Sequence, residues 1–181
     1  MSKYLKKEKI LPILLAIWPY LIGLFVLCDY DADITIIVYL YYAAAAVIYI
    51  GNIINAFKYK SENEIKELSF YNMLIKLVHI PFYLMVFVIG AMFLVAIAVP
   101  ALTFVTPILL TVFFITDAIL MFTSSMYGVN AIRKAYRAGA ISKKSAIKNV
   151  IMQFVFVLDV ISAVHIYSEV RRRKDDRNIL V

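Results

Sequence analysis

Apolar residues in this chain come in long unbroken runs, separated by short charged segments. The longest run, Leu77 to Thr116, contains no Asp, Glu, Lys or Arg. One hydrocarbon crossing takes about 20 apolar residues, so this run is long enough for two. Pro100, beside Ala98 and Val99, offers a place to reverse, and the pattern predicts a transmembrane hairpin.

Four further stretches complete the reading. A first helix is expected over about 10–28, with Pro12 in its first turn, where proline is tolerated, and Pro19 in its middle, where it kinks the helix. A second is expected over about 34–57. It carries Tyr39, Tyr41, Tyr42 and Tyr49, and small residues from Ala43 to Ala46 that let backbones approach in lipid. The hairpin supplies helices over about 70–98 and 101–127, and a fifth apolar segment runs over 146–170. Between these last two, Val129, Ile132 and Tyr136 recur at helical spacing among basic residues, which predicts a short amphipathic cytoplasmic helix over 129–138. Gly139 is placed to stop it, and Ser142 to cap the next helix. The expected fold is all-α: a polytopic membrane protein, a four-helix transmembrane bundle plus a fifth hydrophobic C-terminal helix, in a single integral membrane domain over 1–181.

Composition agrees. The chain is 64% hydrophobic, with a mean hydropathy of +0.85, against roughly 45–50% apolar residues in soluble domains. The net charge of +7 would suit nucleic acid, but the basic residues flank the apolar runs as orientation signals do, and no recognition face is evident. Nucleic acid is therefore not an expected partner. With one cysteine, Cys28, no intrachain disulfide is possible. The richness in Lys, Ile and Tyr suggests an AT-rich bacterial genome, and with it the bacterial cytoplasmic membrane.

The placement of charge also predicts threading. All 19 basic residues fall in four groups: the N-terminus, the segment from Lys58 to Lys76, the segment from Arg133 to Lys148, and the tail from Arg171. The loop of Asp29, Asp31 and Asp33 and the Pro100 turn have none. Positive-inside bias puts the N-terminus and both basic segments in the cytoplasm, which four crossings satisfy. A crossing fifth segment would carry the basic tail outside. It also bears Asp159, Ser162, His165 and Glu169 near one helical face. An interfacial or re-entrant course, with a cytoplasmic C-terminus, fits both facts better than a crossing.

Ionisable groups in hydrocarbon are costly, so each is a functional candidate. Depth along antiparallel helices brings Asn52, Asn55, Lys76, His79 and Asp117 to similar levels, and they form a candidate intramembrane polar cluster. Read functionally, it would bind a proton or cation. Read structurally, Asp117 pairs with Lys76, His79 or an amide and fixes helix register. The C-terminal polar face, Asp159, Ser162, His165 and Glu169, is a second candidate, with a solvated surface as its plainer meaning. Asp159 and His165, six residues apart, do not converge as metal ligands. Arg133, Lys134, Arg137, Arg171, Arg172 and Arg173 are expected at the membrane surface, against anionic lipid headgroups or a docked protein.

No catalytic, nucleotide-binding or dinucleotide motif appears, and no cofactor, metal or catalytic residue is expected. The sequence points first to a non-catalytic membrane subunit or accessory protein of a transport or assembly complex, with a membrane-protein partner. The alternative is a small homo-oligomeric transporter or channel built around His79 and Asp117.

Overall fold

The computed structural model describes residues 7–27, 34–59 and 64–179, with side chains over 9–21, 35–59 and 64–172. Cys28, the Asp29–Asp33 loop, the N-terminal lysines before residue 7 and the side chain of Arg173 lie outside the described residues. The elements in order are α1 (Lys7–Leu27), α2 (Ile34–Lys58), α3 (Glu64–Ala96), α4 (Val105–Arg137), α5 (Lys143–Met152) and α6 (Leu158–Ile179). Among the described residues there is no strand. Helices α2, α3 and α4 are each long and apolar enough to cross a membrane, and α1 contributes a shorter apolar stretch, Lys9–Leu21.

Side-chain contacts fix the directions. Phe93 stacks on Phe113 near the turn, at 5.9 Å, and Glu64 meets Lys134 at the opposite end, so α3 and α4 are antiparallel. Their connection turns over 97–104 around Pro100, and the Thr103 hydroxyl lies 3.0 and 3.2 Å from the carbonyls of Ile97 and Val99. Lys9 reaches Glu67 and Tyr20 donates to the Val78 carbonyl, which makes α1 parallel to α3. Tyr127 meets Asn52 and Asn130 meets Ala56, which makes α2 parallel to α4. The starts of α1, α3 and α5 and the ends of α2, α4 and α6 therefore gather at one end of the bundle. Every described basic residue except Lys76 lies toward that end, here called the basic end.

Two elements differ from the pattern-based expectation. The amphipathic helix expected over 129–138 is no separate element; α4 runs on through Gly128 to Arg137. Gly128 is tolerated mid-helix because it is packed against neighbours: a Cβ there would come within 2.7 Å of both Asn72 and Gln153. The stop at Gly139 is present, with φ +68. Ala140 N–H donates to Ala135 (2.8 Å) and Gly139 N–H to Tyr136 (3.0 Å), the paired bonds of a Schellman motif. Ser142 caps α5 by accepting from the Ser145 N–H at 3.2 Å.

The fifth segment, expected as one helix over 146–170, is two helices. It breaks over 153–157 and doubles back. Ile141 from the approach to α5 and Ile166 from α6 are buried in one cluster with Ile132 and Ala135 of α4, and Ala146, Val150 and Val170 pack against it. Tyr83 meets Phe156 at the tip, and Phe70 meets Tyr167 toward the basic end. The pair α5–α6 is thus a hairpin that enters and leaves at the basic end, with α6 antiparallel to α3. Val157 at the tip has φ +70, a left-handed conformation that is costly for a β-branched residue. No Gly or Pro marks this reversal, which is why a periodicity reading runs straight through it.

Candidate functional site

The charged site sits where the hairpin tip meets α3 and α4. Lys76 Nζ lies 2.8 Å from Asp159 Oδ2, with the two side chains 0% and 3% exposed. The same ammonium donates to Ser125 Oγ at 2.8 Å. Ser125 Oγ is 2.7 Å from the carbonyls of both Met121 and Gln153, between which its one proton is shared. Asp159 in turn accepts the Val160 N–H at 2.8 Å, in the first turn of α6, where a carboxylate also offsets the helix dipole.

Around this pair the hairpin's polar groups bond mainly to one another. Gln153 donates to Ser162 Oγ at 3.2 Å, and Ser162 Oγ lies 3.1 Å from both the backbone and side-chain oxygens of Asn149. Inside the break over 153–157, Ser125 reaches the Gln153 carbonyl. Asn72 and Gln153 Oε1 are buried beside Gly128 without a hydrogen-bond partner among the described residues.

A second, neutral seam joins α2 to α4. Tyr127 donates to Asn52 Oδ1 at 2.8 Å and accepts from Asn55 Nδ2 at 3.0 Å. Asn52 also donates to the Ile48 carbonyl at 2.8 Å, and Asn130 donates to the Ala56 carbonyl at 2.6 Å.

His79 serves neither seam. Its Nε2 lies 3.2 Å from the Leu15 carbonyl, and a carbonyl can only accept, so Nε2 carries the proton. Leu15 is four residues before Pro19, which has no N–H to give it. The proline expected to disturb the first helix thus opens an acceptor, and the histidine of α3 fills it.

The five residues expected as one cluster are therefore divided. Lys76 pairs with Asp159 and not with Asp117; Asn52 and Asn55 share Tyr127; His79 binds α1. Asp117 is half-buried on α4, with Oδ1 lacking a hydrogen bond among the described residues and Tyr49 and Tyr83 within electrostatic range. Similar depth does not fix rotation about the helix axes, and the hairpin brings a carboxylate of its own to Lys76.

The C-terminal polar face divides too. Asp159 and Ser162 turn inward, where a solvated face was the plainer expectation; His165 is exposed, and Glu169 is half-buried. Among the described residues no group of three His, Cys, Asp or Glu is placed to hold a metal. At the basic end Arg133, Arg137, Arg171 and Arg172 are exposed. Lys134 instead pairs with Glu64. Tyr59 there donates to Glu67; burial first, and then the Glu67 carboxylate, raise its phenol above the usual range.

Sequence reasoning passed over Tyr127, Asn130 and Asn149, and read Ser125 only as a helix-packing residue. One signal was present: Tyr127 and Asn130 repeat the three-residue spacing of Asn52 and Asn55 on the helix that runs beside them. Gln153 was visible only as the polar exception in an apolar half.

A profile of a family of unknown function, DUF6652, matches residues 4–172, and the chain belongs to that family. No curated protein and no solved structure matches it.

Proposed function

We propose that this DUF6652 protein is a multi-pass protein of the bacterial cytoplasmic membrane that serves as a non-catalytic subunit or accessory of a transport or assembly complex. Helices α1 to α4 cross, the basic end faces the cytoplasm, and α5–α6 dips in and returns. One observation carries the subunit reading: several polar groups of the long helices are engaged inside the bundle. Lys76 is closed by Asp159 and Ser125, Asn52 and Asn55 by Tyr127, and His79 Nε2 by Leu15. Such contacts fix helix register in lipid. The distal arm of α3 and α4 meanwhile exposes Phe87, Met92, Phe104 and Phe114 to lipid or to a neighbouring protein. Native mass spectrometry after gentle extraction from the source membrane is the test. A second protein at fixed stoichiometry supports the reading, and a bare monomer overturns it. For the threading, Arg172→Cys in a Cys28→Ser background is expected to resist impermeant thiol reagents in intact cells; labelling from outside would refute the re-entrant course.

One observation favours a small homo-oligomeric transporter as a second reading. Broken helices at membrane depth and intramembrane charges are the usual materials of a substrate site, and the α5–α6 break lies against the Lys76–Asp159 pair. Asp117, with Tyr49 and Tyr83 nearby, supplies a further carboxylate. Ion flux in proteoliposomes that Asp117→Asn abolishes, with the fold intact, would support this reading; flux indifferent to that substitution would count against it.

A further inference from the structure

A cavity of about 410 Å³ opens between α5 and α6 at the basic end, and its lining is amphipathic. Lys144, Lys148, His165 and Ser145 line it as hydrogen-bond donors, whereas Met152 and Ile161 give it an apolar side. None of its lining residues is acidic. Among the described residues Lys144, Lys148 and His165 make no ion pair, unlike Lys9, Lys76 and Lys134, which are each matched to a carboxylate. These basic side chains thus have no acidic partner among the described residues, and they come from two antiparallel helices and face one space.

The apolar side is continuous with the outside. Ile161 is itself exposed, as are Ile147 and Ile151 on α5. A ligand seated here has an anionic group held by two ammoniums, an imidazole and a hydroxyl, and a chain lying along Ile161 toward the bilayer. That is the chemistry of a phosphate-headed amphiphile. Phosphate oxygens suit point-charge donors such as lysine. A bare metabolite would make no use of the apolar side, and a neutral lipid would make no use of the lysines.

We propose that the cavity between α5 and α6 is a binding site for the phosphate of an anionic phospholipid, with Lys144, Lys148 and His165 as its ligands and Met152 and Ile161 against the chain. The site is independent of whether the protein is a subunit or a transporter.

The test uses the full chain in detergent, titrated with phosphatidylglycerol, phosphatidylcholine or glycerol phosphate and read by native mass spectrometry. Phosphatidylglycerol is expected to bind at least about tenfold more tightly than phosphatidylcholine. Lys144→Gln with Lys148→Gln is expected to weaken it about thirtyfold, given about 1 kcal/mol for each basic residue near an anionic lipid surface. All these lysines are exposed, so the fold is retained. Arg133→Gln with Arg137→Gln removes the same charge from the same end, outside the cavity, and is expected to change binding less than threefold. Equal loss in the two double variants would show diffuse attraction and overturn the site, as would the absence of any preference for phosphatidylglycerol. Glycerol phosphate binding as tightly as the lipid would place the phosphate's source in water and overturn the lipid assignment.

Discussion

The bundle has two polar seams, and they are built on different principles. The α2–α4 seam is neutral: amides and a phenol joined by hydrogen bonds. The α3–α6 seam is ionic, with Lys76 and Asp159 enclosed and each the other's counterion. Removing one partner of a neutral seam leaves an unmade hydrogen bond; removing one partner of the ionic seam leaves a buried charge. The neutral seam sets the register of two helices that are apolar enough to stay in the membrane anyway. The ionic seam holds down a hairpin whose turn is strained and whose second helix is otherwise poor in apolar residues.

The contrast is sharpest in the single variants at the ion pair. Lys76→Ala or Asp159→Ala is expected to cost about 3–5 kcal/mol, the usual penalty for orphaning a buried charge. Lys76→Met combined with Asp159→Leu is expected to recover most of that loss. Unfolding by steric trapping in bicelles measures both, and a double variant as unstable as the singles would mean the pair does more than neutralise itself.

His79→Ala comes next, at about 1–3 kcal/mol for a buried unsatisfied group. In a Pro19→Ala background the Leu15 carbonyl regains a helical N–H, so the same substitution is expected to cost markedly less. A double-mutant cycle checks this; additive costs would break the link between the proline and the histidine. Tyr127→Phe in the neutral seam removes two hydrogen bonds and should cost only about 1 kcal/mol, at an average of about 0.6 kcal/mol for each intramembrane hydrogen bond. A cost near that of Lys76→Ala would erase the distinction between the seams.

The smallest effect has the opposite sign. Val157→Gly is expected to stabilise the protein by about 1 kcal/mol, because glycine adopts φ +70 without the β-carbon clash. If the segment were one continuous helix, glycine would instead destabilise it by about 1 kcal/mol. Thermal stability in one detergent distinguishes the two.

Much of the architecture was legible in the sequence because hydropathy and capping are local. The Leu77–Thr116 run, the turn at Pro100, the stop at Gly139 and the cap at Ser142 each depend on residues close in the chain. The charge pattern also anticipated that the basic segments gather at one end of the bundle. The break over 153–157 was not legible, since Phe154, Val155, Phe156 and Val157 read equally well as helix. Nor was the partner of Lys76. Depth along a helix can be counted from the sequence, but which way a side chain faces depends on packing. Asp159 became available to Lys76 only because the chain doubled back, so missing the break meant missing the pair.

The ion pair also has a consequence in time. Lys76 is synthesised well before Asp159, and through that interval α3 carries a cation without the carboxylate that closes it in the finished bundle. The C-terminal hairpin is therefore the piece whose arrival completes the molecule, and a chain that ends early keeps a chemical mark of being unfinished. Pulse–chase labelling is expected to show that chains terminated before Lys143 are degraded quickly, and that Lys76→Met lengthens their lifetime.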